Sequence, residues 1–111
     1  MSPRNVTGLL GDIETAACFI ESRAQGHTLE TYVGNEDLQA IVERKFEIIG
    51  EALSALRRIA PDTFAKIRHA QQAVDFRNVL IHGYASIDPH VVWDTYCRWL
   101  PELLEDVRSV R

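Results

Sequence analysis

Cysteine is scarce: there are two, Cys18 and Cys97, and neither belongs to a C-x-x-C pair. No thiol redox motif or zinc knuckle is therefore encoded, and both thiols, set among apolar neighbours, are expected as reduced core residues. The four prolines and six glycines mark boundaries and form no linker or low-complexity tract. No apolar run approaches the roughly 20 residues that a bilayer span requires, so no membrane partner is expected. Positive charge is not in excess either: 12 Lys and Arg against 16 Asp and Glu leave a formal net charge of −4. A global basic field for nucleic acid is thus excluded, and any RNA site has to be a local patch. His27, His69, His82 and His90 lack metal-ligand spacing, and no H-E-x-x-H, glycine-rich phosphate loop or G-x-S-x-G elbow occurs. Neither a metal site nor a cofactor is expected. The polar start, Met1 to Asn5, has no signal-peptide core and leads into an amphipathic pattern, which points to a cytoplasmic address.

What is present is an ordinary globular composition, 46% hydrophobic and 25% charged over 111 residues, which suits one domain over 1–111. The periodicity predicts a helix from about Val6 to Arg23, with Ile13, Ala16, Ala17 and Ile20 on its inner face. Gly26 ends it. The stretch from His27 to Gly34 reads as a connection in which Thr28 or Asn35 starts the next helix, Asn35 being the better cap because Glu36 and Asp37 follow it. A long helix from about Glu36 to Ile59 carries an apolar stripe that includes Leu38, Val42, Ile49, Leu53 and Leu56. Pro61 and Asp62 open a short extra turn of helix reaching Ile67. A third main helix runs from His69 or Gln71 to Ile81, with Gly83 placed for a left-handed stop. Asp88-Pro89 starts a fourth, which Pro101 should kink or split. No stretch alternates with period 2. The predicted fold is all-α, a four-helix, up-and-down-type bundle with a short extra helix.

The chemistry-bearing residues concentrate in Arg77-Asn78-Val79-Leu80-Ile81-His82-Gly83-Tyr84. On a straight helix Arg77 and Tyr84 share a face, whereas His82 lies about 140° round from Arg77. Gly83 allows the chain to leave the helix, and a local unwinding there would swing His82 and Tyr84 towards Arg77. Val79, Leu80 and Ile81 would then anchor the helix in the core. The plainer reading is an ordinary helix end, because cations in the last turn suit the dipole. Residue types alone leave both readings open.

R-N-V-L-I-H-G-Y resembles the R-N-x-x-x-H-x-Y motif of the HEPN superfamily, specifically its HepT-like toxins. The likeness extends to Phe46-Glu47-Ile48-Ile49-Gly50-Glu51-Ala52, to Ile87-Asp88 with Val92-Trp93, and to the opening Met1-Ser2-Pro3-Arg4. It departs from the family upstream of the arginine, where Gln71 to Phe76 replace the usual glycine, aliphatic and tryptophan pattern. The resemblance implies a HEPN fold and a metal-independent endoribonuclease toxin of a type VII-like toxin–antitoxin pair. Its partner would be a minimal nucleotidyltransferase antitoxin. It implies catalytic roles for Arg77 and His82, supporting roles for Asn78 and Gly83, and AMP addition at Tyr84.

Metal-free RNA cleavage needs a base for the 2′-hydroxyl, a cation for the phosphorane and an acid for the leaving oxygen. Histidine serves either proton transfer and arginine offers a planar cationic fork. One motif supplies one of each, so a homodimer with facing motifs completes the set. Lys66, Arg68 and His69, with Arg57 and Arg58, form a candidate RNA-contacting patch, or else a solvated helix surface. Glu47 and Glu51 share a helical face from which either could reach and orient Arg77, or both are simply exposed. Trp93, Tyr96 and Trp99 read as core or dimer-interface aromatics. From another class, the chain could be a non-catalytic helical module that docks a nucleotidyltransferase or holds a nucleotide; the acidic net charge favours that alternative.

Overall fold

Most helices of this protein start where a short polar side chain or a proline precedes an apolar period. The structure, a computed structural model, describes residues 5–83 and 87–111. Asn5 accepts from the Gly8 amide at 2.7 Å and starts α1, Val6–Ala24. Asn35 accepts from the Leu38 amide at 3.0 Å and starts α3, Glu36–Ile59, after the short α2, Leu29–Val33. Proline opens α4 (Pro61–Ala65) and α6 (Pro89–Arg98), the latter capped by Asp88. Between them lies α5, Ala70–His82, and α7, Leu100–Val110, ends the chain. Helix is the regular structure found among the described residues, and the fold is the all-α bundle expected from the sequence.

The long α3 is central, packing on α1 along one side and α5 along the other. Leu9, Ile13 and Ile20 of α1 meet Val42, Ile49, Leu53 and Leu56 of α3 in one core, closed by Leu103, Leu104 and Val107 of α7. Burying each such side chain contributes about 1.5–3 kcal/mol. On the outer side Arg108 of α7 and Arg111, just beyond it, both reach Glu14 of α1.

Two departures from the sequence expectation, and one expectation that is met, have local causes. The 27–34 connection is not a plain loop, because Thr28 and Thr31 form a reciprocal cap and fully buried Tyr32 anchors α2. Gln39 of α3 then donates to the Tyr32 and Val33 carbonyls, both at 2.9 Å, closing the far end of α2. So Thr28 and Asn35 each begin a helix. The expected fourth helix is divided at Trp99, since Pro101 has no amide for the Cys97 carbonyl and its ring would strike it. Finally, Cys97 is exposed, not a core residue, while Cys18 is half-buried; both are free thiols. The turn of α6 that buries Val92 and Thr95 leaves Cys97 on its outer face. No helix among the described residues is long and apolar enough to cross a membrane.

Candidate active site

The motif lies on α5, and burial fixes how that helix sits. Ala70, Ala73, Val74 and Phe76 face the core, with the Phe76 ring edge-on to Phe46 of α3 at 5.5 Å. One turn of helix beyond Ala73, Arg77 meets α3 at Gly50. A methyl group at Gly50 would lie 2.2 Å from the Arg77 Cβ, 2.8 Å from its Cγ and 3.0 Å from the Ala73 carbonyl. Only glycine permits this approach. A mid-helix glycine costs about 1 kcal/mol relative to alanine, so close packing against the arginine stem is the compensating reason for it. Sequence reading quoted Gly50 within a family-like stretch but gave it no role. The signal was a glycine inside an otherwise strong helix-forming run.

Beyond the stem, Arg77 Nη1 donates to Asn78 Oδ1 at 3.0 Å, and Nη2 lies 3.7 Å from Glu51 Oε1. Its Nε is buried and has no hydrogen-bond partner. Of the two carboxylates expected near it, Glu51 therefore reaches the arginine. Glu47 lies 3.9 Å from Arg44 instead.

Helix α5 stays regular through His82, so the expected unwinding does not occur at the histidine. His82 is exposed on the last turn. It stands about 7.5 Å along the axis from Arg77 and about 140° round it. One chain therefore does not bring Arg77 and His82 together. Gly83 follows with φ −74° and ψ 104°, extended rather than left-handed, while its amide reaches the Val79 carbonyl at 2.8 Å. That bond closes the last turn, and an extended exit needs no left-handed residue. Tyr84 lies outside the described residues.

The hydrophobic triplet of the motif also departs from expectation. Leu80 packs on the core, but Val79 is 56% and Ile81 40% exposed. The reason is angular: Leu80 lies over the centre of the face that carries Ala73, Phe76 and Arg77, whereas Val79 and Ile81 fall on its two opposite flanks. Val79 lines a shallow, mainly apolar groove of about 240 Å³ between α5 and α6, with Phe76, Val91, Thr95 and Trp99. Val91 on the opposite wall is 51% exposed. A larger hollow, by Thr31 and Asn35 to Asp37, is polar and holds none of the motif residues.

The candidate RNA patch has a different environment. Arg68 donates to Asp106 through Nε and Nη2, at 2.9 and 3.1 Å, and to Glu102 through Nη1 at 3.0 Å. Its backbone amide also donates to Asp106, at 2.8 Å. His69 Nε2 lies 2.7 Å from Glu102 Oε1, and its ring stacks on Trp99 with centroids 5.7 Å apart. The hydrogen bond from Arg68 is the main reason the Asp106 carboxyl titrates below its usual range. The His69 contact does the same for Glu102. Lys66 is exposed at the end of α4, and Arg58 is exposed on α3. Arg57 donates to Gln71 at 2.7 Å. Trp93 lies between Tyr32 and Tyr96, at 5.1 and 5.0 Å, as part of the packing. Among the described residues no group of three His, Cys, Asp or Glu is placed to hold a metal ion.

With this geometry in hand, comparison with known proteins is decisive for the family. The model named "Ribonuclease HepT-like" matches residues 13–110. The chain belongs to the HepT-like ribonuclease family. It is 29% identical over 105 residues to "Probable ribonuclease HepT" of Thermococcus cleftensis, covering 92% of each chain. It is 28% identical over 110 residues to "Putative RNase MJ1380" of Methanocaldococcus jannaschii, covering 99% of this chain and 100% of that one. HepT-like membership makes RNA cleavage the leading biochemical reading of this chain.

Proposed function

We propose that this HepT-like protein is an endoribonuclease that cleaves RNA without a metal ion, at a site shared by two copies of the chain. One observation carries the reading. The helix bearing exposed His82 also exposes Ile81 and, on another side, Val79, which lines an apolar groove walled by Val91 and Trp99. Exposed aliphatic side chains along a helix and a groove favour a covering partner. A second copy, related by a two-fold axis, is the simplest cover, and it doubles Arg77 and His82.

In such a site one His82 accepts the proton of the 2′-hydroxyl as that oxygen attacks phosphorus. The P–O5′ bond breaks, leaving a 2′,3′-cyclic phosphate, and the second His82 donates a proton to the departing 5′-oxygen. The two histidines titrate as a coupled pair. Arg77 keeps further N–H groups beyond those turned to Asn78 and Glu51, and these stabilise the charge that develops on the phosphorane. The chain leaves α5 at Gly83, directly after the histidine. Lys66, with Arg58, is the remaining candidate for backbone contacts to RNA, since Arg68 and His69 face carboxylates.

Regulation completes the proposal. The protein acts as a cytoplasmic toxin, and a minimal nucleotidyltransferase antitoxin adds AMP to Tyr84, placing negative charge beside the phosphate site. The engagement of Arg68 by Glu102 and Asp106 favours one second reading, a non-catalytic module that docks such a nucleotidyltransferase. RNA cleavage in excess EDTA by wild type, Arg77→Ala and His82→Ala separates the two. The ribonuclease reading expects cleavage that either substitution removes, with growth arrest on expression relieved by His82→Ala. Equal cleavage by all three folded proteins contradicts the assignment.

A further inference from the structure

Resting on the ribonuclease reading, we infer that Glu51 of α3 is a positioning residue for Arg77, holding the guanidinium in one orientation for the phosphate. Three contacts converge on this arginine from different directions. Gly50 confines its Cβ and Cγ, because no side chain fits between α3 and α5 at that point. Asn78 Oδ1 takes a proton from Nη1 at 3.0 Å, and Glu51 Oε1 stands 3.7 Å from Nη2. Nε is buried with no partner and so adds no directional restraint.

Confining the stem still leaves rotation of the head. A guanidinium on a fixed stem turns about its last bonds, and a hydrogen bond on Nη1 together with an ionic contact on Nη2 restrains that turning. Asn78 is the neighbour of Arg77 on the same helix and moves with it, whereas Glu51 belongs to α3. Glu51 is therefore the contact that fixes the guanidinium relative to the bundle. The pair is accessible, at 44% and 29% side-chain exposure. In that setting its attraction is weak as a stabiliser, so orientation is the consequence that matters. A carboxylate this close to a phosphate site also repels the phosphate, which gives the opposite expectation if its role were to obstruct.

The test uses the full chain as wild type, Glu51→Gln and Glu51→Ala, with a fluorescent single-stranded oligoribonucleotide in EDTA and with ¹⁵N-arginine NMR. The Arg77 signals are assigned by their loss in Arg77→Lys. Positioning predicts that Glu51→Ala lowers kcat about tenfold with KM within about threefold, because orientation acts on the reacting complex. Glu51→Gln, which keeps the side chain's length but not its charge, should recover little of that loss. Rotation about the Arg77 Nε–Cζ bond, read from exchange between the two Nη signals, should become several-fold faster in Glu51→Ala, while Tm stays unchanged. A lower KM with unchanged or raised kcat would mean that Glu51 obstructs RNA, and would overturn the inference. So would unchanged Nη exchange in Glu51→Ala, whatever the activity. If wild type cleaves no RNA the ribonuclease reading fails, and the NMR result still decides whether Glu51 holds Arg77.

Discussion

The two ends of α5 are built in opposite ways. At its start His69 adopts a left-handed backbone, φ 67°, the one non-glycine positive φ among the described residues. Such a conformation costs about 1–2 kcal/mol in an L-residue. It is held by the Glu102 contact, by stacking on Trp99 and by the Arg68 bonds to Asp106. At its other end the helix stops at His82 with exposed Val79, Ile81 and His82 and an extended glycine. One end is tied to α7, and the other is offered to solvent. The motif's basic groups thus have a tied base, while Arg68 and His69 just upstream of it are already paired within the chain.

Five substitutions sharpen that contrast, from the largest effect to the smallest. His82→Ala at the open end should reduce RNA cleavage by about 10²–10⁴-fold, the usual range for a proton-transfer group, with Tm unchanged. His69→Ala at the tied end should lower Tm and leave more activity than His82→Ala does. If His69→Ala silences the folded protein as fully, the division between the two ends is wrong. Midway along the helix, Phe76→Ala removes the ring set against Phe46, and denaturant titration should show a loss of about 3–5 kcal/mol. Val79→Asp places a charge on the exposed face and should shift sedimentation towards the monomer without destabilising the fold.

The smallest effect is that of Arg68→Ala, and it depends on pH. Asp106 and Glu102 both titrate below their ordinary values in the folded protein, from hydrogen bonds to Arg68 and His69 respectively. A depressed carboxyl stabilises the fold above its unfolded pKa, and that stability is lost as pH falls through the folded value. The Tm difference between wild type and Arg68→Ala should therefore be full near pH 6 and close on acidification below about pH 4. A gap that widens in acid contradicts the cause assigned to these shifts.

How much of this was legible in the sequence follows from which forces are local. Asn5, Asn35, Asp88 and the prolines write helix starts into neighbouring residues, and the bundle's elements follow from them together with the apolar period. The division at Pro101 was equally readable, from a missing amide. What failed depended on the third dimension. Val79 and Ile81 were expected inside because they are aliphatic, yet which face of α5 meets α3 is set by Gly50 and Phe76. The pairing of Arg68 with Asp106 spans 38 positions and has no trace in local pattern. The motif itself was legible, as was the face of Glu51, but the separation of Arg77 and His82 within one chain required the helix to be seen continuing through His82.

That separation makes the second copy the central claim. The most direct measurement is specific RNA-cleaving activity across a dilution series, beside sedimentation equilibrium on the same samples, for wild type and Val79→Asp. The account predicts that activity follows the fraction of dimer, so that Val79→Asp reaches wild-type rates only at higher concentration. A monomer that cleaves RNA at the full rate per chain would contradict it.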